Sequence, residues 1–239
     1  MLAVGIWLVA LGVADLFRAG HDETSSTERG LVATIGVVLF LVMALVAGPS
    51  GATGVLLILG GIAGLLAWVL LSALALQGAG PIARVGAFAG LVLGFGVVMV
   101  AGGGIASHPA LPSALGGSFV GDWDAARTTL VCGVLLVQLA TANIAVRLVL
   151  DAVGVPAATN EKKLKGGRVL GPMERVFIVV LGLAGAGTAA AIVVAAKGLL
   201  RFPEVRKEIN GPSDVTEYFL IGSFASWLVA VGGVALLVS

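Results

Sequence analysis

Long apolar runs, joined by short polar connectors, constrain this chain more than any other feature of its sequence. Only 11% of its residues are charged, against roughly 25% in soluble domains. About 20 apolar helical residues cross a bilayer core of about 30 Å. The sequence therefore predicts an all-α, polytopic transmembrane helix bundle of about eight segments, at residues 2–17, 31–48, 55–77, 84–106, 126–150, 173–186, 188–201 and 217–238.

The connectors between the runs are short and rich in turn-forming residues, as loops between neighbouring antiparallel helices are. No polar stretch is long enough to build a second core, so we predict a single integral membrane domain over 1–239, without a soluble domain. Within it we expect a five-helix N-terminal part over 1–153, followed by a helical hairpin and the last helix over 166–239. The runs do not alternate apolar with polar residues, which argues against strands.

Basic residues predict how the segments are oriented, because cytoplasmic loops of membrane proteins are rich in Lys and Arg. With the N-terminus outside and 173–201 entering and returning as a hairpin, all 14 basic residues except Arg127 lie on the inner side. One continuous span there would move Lys197 and Arg201 outside. We therefore predict a hairpin for segments six and seven, with both chain termini outside.

The two arms of this hairpin are short. A helix of about 14 residues reaches about 21 Å, less than the hydrocarbon thickness, so the hairpin either crosses with the help of interfacial turns or is re-entrant. Gly185 and Gly187 would permit the tight turn between the arms. Pro172 suits the first turn of the sixth segment, where its missing N–H costs nothing.

Charged side chains at the inner ends of the segments form the main candidate site. The candidate donors to a small anion or lipid headgroup are Arg175, Lys197 and Arg201. The candidates for ion pairs or a proton path are Glu174, Glu217, Arg147, Asp151 and Asp15. Because charges at membrane depth are costly, they are usually paired or face a cavity. This inner-leaflet cluster is thus either a structural network or a binding site for an anionic group.

Sequence spacing suggests some of the pairs. Asp15 and Arg18 are three residues apart and share one helical face, and Arg147 and Asp151 are four apart. By the signs of their charges, the two glutamates of the cluster are expected to face Lys197 and Arg201.

Catalytic and cofactor motifs are absent from the sequence. The histidines, His21 and His108, fall on opposite sides of the predicted membrane, and Cys132 is the one cysteine, so no metal site is expected. Neither a nucleophile elbow nor a phosphate loop is present. We therefore expect a protein that is not an enzyme, binds no cofactor and has no nucleic-acid partner.

Glycines spaced by four mark one face of the fourth run: Gly86, Gly90 and Gly94. Small residues at this spacing let a neighbouring backbone approach closely. This face either packs inside the chain or forms a homodimer.

The C-terminal third resembles a family of uncharacterised bacterial integral membrane proteins, a domain of unknown function. The matching pieces are Gly167-Arg168, Glu174-Arg175, Ala195-Ala196-Lys197, Arg201-Phe202 and the run from Glu217 to Ser223. The resemblance implies a bacterial cytoplasmic (inner) membrane and supplies no activity.

Three functional classes follow from these observations. The first is a non-enzymatic inner-membrane protein whose charge cluster is structural or binds a small anion or anionic lipid. The second is a small-solute or ion permease with a path lined by Glu174, Lys197 and Glu217. The third is an accessory or scaffold subunit of a membrane complex.

Overall fold

The protein is α-helical throughout the residues that its computed structural model describes, which are 1–18, 25–105, 124–155, 167–192, 194–196 and 214–239. The helices are α1 (Leu2–Arg18), α2 (Ser26–Val46), α3 (Gly51–Leu76), α4 (Pro81–Ala101), α5 (Ala125–Leu136), α6 (Ala142–Ala152), α7 (Gly167–Leu183), α8 (Gly187–Ala196) and α9 (Asp214–Val238). A π-helix, Val137–Thr141, joins α5 to α6.

Within the described residues, five stretches are long and apolar enough to cross a membrane: Ser26–Val46, Gly51–Leu76, Pro81–Ala101, Ala125–Ala152 and Thr216–Val238. They coincide with the predicted second, third, fourth, fifth and eighth segments. Helices α1 and α7 have 17 residues each, and α8 is shorter. The all-helical membrane fold is thus confirmed, whereas the count of eight segments and the re-entrant hairpin are not.

Helix α9 has the inside-out polarity of a membrane helix. Leu220, Phe224 and Leu228 follow one another at intervals of four and are 59%, 62% and 59% exposed. Ser223 and Ser226, on the opposite side, are buried. In water this arrangement would expose apolar and bury polar groups at a large cost, so the exposed stripe of α9 faces lipid.

The chain divides into two compact units, Met1–Val137 and Gln138–Ser239. The sequence suggested a boundary in the connector after 153. The observed division instead falls at the π-helix, because α5 packs against α1 whereas α6 packs against α7 and α9.

Helix α1 is the core of the N-terminal unit and is buried on nearly every side. Trp7, Leu11 and Ala14 have no exposed surface. Trp7 Nε1 donates a 2.9 Å hydrogen bond to the carbonyl oxygen of Gly61. A Cβ on Gly133 would lie 2.8 Å from the Gly5 carbonyl oxygen, so α5 contacts α1 at backbone distance.

The glycine face of α4 packs on α3 within the chain. A Cβ on Gly94 would lie 2.8 Å from Gly64 Cα and 2.9 Å from Trp7 Cζ2, and one on Gly86 would lie 2.8 Å from Leu71. Gly90 likewise meets α3. The intramolecular interpretation of this face is confirmed; the predicted homodimer stays a prediction, and the glycines that it would use already lie against α3.

Local signals explain where helices begin and end. Ser25 and Glu28 form a capping box at the start of α2, and Pro81 opens α4. At the end of α7, Ala186 N–H bonds the Leu181 carbonyl and Gly185 N–H bonds that of Gly182, a Schellman motif.

The predicted break in the 173–201 region is therefore confirmed at Gly185, whose φ is +70°. Two details of this region were wrong. Helix α7 begins at Gly167 rather than near 173, and Pro172 lies inside it rather than in its first turn. The glycines and the proline before 173 are typical of a connector, and they concealed the start of the helix.

Candidate binding site in the C-terminal unit

The site is built on the π-helix, which disturbs the regular backbone pairing of the fifth apolar run. In an α-helix every interior carbonyl accepts from the N–H four residues later, and a π-turn changes that pairing locally. The Gln138 carbonyl accepts a 2.9 Å hydrogen bond from Arg175 Nε. The Leu139 carbonyl accepts from the side chain of Asn143 at 3.4 Å. The π-turn thus presents backbone oxygens to side chains.

Arg175 is the central side chain and is 1% exposed. Besides the Gln138 carbonyl, its Nη1 donates to Ser226 Oγ at 2.9 Å and its Nη2 to Asn143 Oδ1 at 2.6 Å. All three acceptors are neutral, and these bonds use three of the five N–H groups of the guanidinium. The cation is held in place by dipoles rather than by a directly bonded carboxylate.

The acceptors locate Arg175 near the middle of two spans. Gln138 lies 13 residues from one end and 14 from the other of Ala125–Ala152, and Ser226 lies 10 and 12 residues from the ends of Thr216–Val238. At 1.5 Å per residue these separations are about 15–21 Å. The groups that hold Arg175 therefore lie near the middle of two candidate spans, about 15–21 Å from the ends of their helices.

Glu174 places a carboxylate beside this cation in the sequence, and it is buried. Its Oε1 accepts a 3.1 Å hydrogen bond from Trp227 Nε1. Trp227 follows Ser226 directly, so α9 supplies one polar partner to each member of the Glu174–Arg175 pair. Glu174 and Arg175 are thus both oriented by the same turn of α9.

Gly171 leaves space beside the guanidinium. It lies one turn before Arg175 on α7, and a Cβ added to it would lie 3.4 Å from Nη1 and 3.9 Å from Asn143 Oδ1. A larger side chain here would extend over the two polar atoms. Gly171 itself therefore adds no side chain over the guanidinium of Arg175.

A second charged cluster, in the N-terminal unit, is internally balanced. Arg18 donates to Asp15 Oδ1 from Nε and Nη2, at 2.9 and 2.6 Å, which confirms the predicted pair. Trp68 Nε1 donates to Asp15 Oδ2 at 2.8 Å, and Arg18 also bonds Ser72 Oγ at 2.8 Å and the Val69 carbonyl at 3.1 Å. Because its charges are directly paired, we interpret this cluster as structural: its hydrogen bonds join α1 to α3.

The predicted site residues are only partly brought together. Arg175 and Glu174 are neighbours in the site. Arg147 and Asp151 lie half-buried on α6, and Glu217 is exposed near the start of α9. Lys197 and Arg201 lie outside the described residues, and Asp15 belongs to the N-terminal unit.

Sequence reasoning missed the neutral members of the site: Gln138, Ser226 and Trp227. Each interrupts an apolar run with a polar group, and buried polar groups in membranes require partners. That signal was available, since Gln138 is a polar residue near the middle of the fifth run. The same signal would have found Ser72, which lies one turn after Trp68 in α3.

No group of three or more His, Cys, Asp or Glu side chains among the described residues is arranged to hold a metal ion. No family model matches the chain, and no curated protein or solved structure gives a significant match. The interpretation of the site therefore depends on its own geometry.

Proposed function

We propose that this protein is an inner-membrane permease for a small anion, with Arg175 as the cation that binds the anion within the membrane. The observation that carries the proposal is the depth of a buried guanidinium whose three hydrogen bonds all go to neutral acceptors. An ionisable residue inside a membrane is by default a candidate for a substrate pathway. Binding sites near the bilayer midplane are typical of transporters.

Depth favours a small anion over a lipid headgroup. Headgroups lie at the membrane interface, whereas Gln138 and Ser226, which hold Arg175, are mid-span residues. A soluble anion that reaches Arg175 beside Gly171 would accept from the two guanidinium N–H groups that make no hydrogen bond to the described residues. The predicted orientation, with both termini outside, belongs to this proposal.

The balanced N-terminal cluster supports a division of roles between the two units. Asp15 neutralises Arg18 at 2.6 Å, so that cluster has little to offer an anion. Arg175 interacts electrostatically with its sequence neighbour Glu174, but its own hydrogen bonds go to neutral acceptors. Of the two arginines that are buried among the described residues, Arg175 is the better candidate for a ligand.

The test introduces a carboxylate beside Arg175, where it would take the place of the anion. Asn143→Asp changes an amide oxygen 2.6 Å from Arg175 Nη2 into a carboxylate oxygen of nearly the same shape. We expect this variant, reconstituted in liposomes, to lose anion flux while its melting temperature stays equal or rises. Asn143→Ala, which leaves the guanidinium charge unneutralised, is the control and should retain flux.

Chloride, nitrate, bicarbonate and phosphate form the test panel. If none of them crosses wild-type liposomes faster than empty ones, the permease proposal is wrong. If one does and Asn143→Asp transports it as fast as wild type, Arg175 is a structural residue and the flux uses another path. A stoichiometric partner in native membranes, with no flux, would instead favour the scaffold role.

A further inference from the structure

Gln138 carries a second feature of the site, an acceptor without a hydrogen bond. Its Nε2 donates to the Val229 carbonyl at 3.2 Å, which fixes the orientation of the amide. In the part of the chain that the structure describes, Oε1 of this side chain is buried and has no hydrogen-bond partner, and the same holds for Thr141 Oγ1. Gln138 and Thr141 are 1% and 2% exposed.

The amide of Gln138 and the guanidinium of Arg175 both hydrogen-bond to α9, at Val229 and Ser226. Arg175 bonds the backbone of Gln138 and the hydroxyl of Ser226, while the amide of Gln138 bonds Val229, three residues further along α9. Residues three apart on a helix lie on the same face. Gln138 and Arg175 therefore extend side by side from the π-helix and α7 to one face of α9.

A buried carbonyl oxygen without a donor is costly, and it repels a bare anion that approaches the neighbouring cation. A ligand that carries both a negative oxygen and an O–H group can pair with the guanidinium of Arg175 and with Gln138 Oε1. Its negative oxygen accepts from Arg175, and its hydroxyl donates to Gln138 Oε1. The hydroxyl of Thr141, in the same π-helix, provides a second polar contact.

We infer that the anion is a small oxyanion with a single negative charge and at least one O–H group, of the bicarbonate or dihydrogen phosphate type, selected by Gln138 and Thr141. The inference rests on the proposed function, because it names the ligand class of the Arg175 site. It excludes chloride and nitrate as preferred ligands, since neither carries a hydrogen-bond donor.

Bicarbonate and nitrate make a matched pair for the test, because both are planar monoanions of similar size and only bicarbonate has a proton to donate. We would measure their binding to the purified full-length protein at pH 8 by calorimetry. A single hydrogen bond to an otherwise unpaired acceptor corresponds to about tenfold in affinity. We therefore expect bicarbonate to bind at least about tenfold more tightly than nitrate.

Two variants assign the preference to the residues. Thr141→Val keeps the shape of the side chain and removes the hydroxyl, and Gln138→Leu removes the acceptor. Both should weaken bicarbonate binding and leave nitrate binding within about twofold. Because Thr141→Val makes the smaller change, it keeps the test available if Gln138→Leu does not fold.

The outcomes separate this inference from the function on which it rests. Equal affinities for bicarbonate and nitrate, both abolished by Asn143→Asp, would overturn the inference and leave the permease proposal standing. A bicarbonate preference that survives unchanged in both variants would overturn the assignment to Gln138 and Thr141. Binding of none of the four anions in the panel to wild type would contradict the proposed function itself.

Discussion

Removal of Arg18 should destabilise the N-terminal unit more than most single changes in this protein. Asp15 is fully buried and accepts three hydrogen bonds, two from Arg18 and one from Trp68. Arg18→Met leaves the carboxylate with the tryptophan donor alone. Breaking a buried pair by removing one partner costs about 3–5 kcal/mol, and we expect a loss of about 3–4 kcal/mol because the Trp68 bond remains.

Removal of the Asp15 charge should lower the free energy of unfolding less than removal of Arg18 does. Arg18 is the last residue of α1, so in Asp15→Asn its long side chain can turn towards water, and we expect a loss of about 1–2 kcal/mol. The double variant Asp15→Asn/Arg18→Met buries no charge and keeps an acceptor for Trp68. It should be at least about 1 kcal/mol more stable than Arg18→Met alone, although it carries one more substitution.

The assay is SDS-induced unfolding in bicelles, followed by tryptophan fluorescence, which Trp68 reports from inside the cluster. Arg29→Met serves as the control, because the bond from Arg29 to Gln77 is exposed, and its effect should stay within about 0.5 kcal/mol. A loss below about 1 kcal/mol for Arg18→Met would refute the argument. So would a double variant that is less stable than the single one.

Three further variants test packing and helix ends in the same unfolding assay. Gly94→Ala places a Cβ 2.8 Å from the backbone of α3 and should cost about 2 kcal/mol or more, whereas Gly96→Ala, with nothing within 4 Å, should be neutral or slightly stabilising. Gly185→Ala should lower the free energy of unfolding by about 1 kcal/mol, because φ at Gly185 is +70°. Gly187→Ala should leave it unchanged. Ser25→Ala should speed hydrogen exchange in the first turn of α2 through loss of about 1 kcal/mol, and Ser25→Asp should preserve the cap.

Local spacing predicted the features that depend on neighbouring residues. Asp15 and Arg18 were expected on one face from their separation of three, and they form an ion pair. Gly185 was expected at a turn, and it adopts the left-handed conformation there. In both cases the relevant partners lie within one helical turn, so helix geometry alone was sufficient.

The depth of Arg175 could not be predicted from the sequence. It depends on α7 including Gly167–Pro172, a stretch that looks like a connector, and on the hydrogen bonds from Arg175 to the Gln138 carbonyl and to Ser226. These bonds join residues that are 37 and 51 positions apart in the chain, so local propensity does not predict them. The same limit applies to Trp68 and Asp15, which are 53 residues apart in the chain.

Equilibrium binding of small anions to wild type and to Asn143→Asp, with unfolding followed in the same samples, tests the central claim most directly. The account predicts saturable binding of one anion of the panel to wild type. It predicts no binding to Asn143→Asp, whose folded state is at least as stable as that of wild type. Equal binding to the two proteins would contradict the claim that the guanidinium of Arg175 receives the anion.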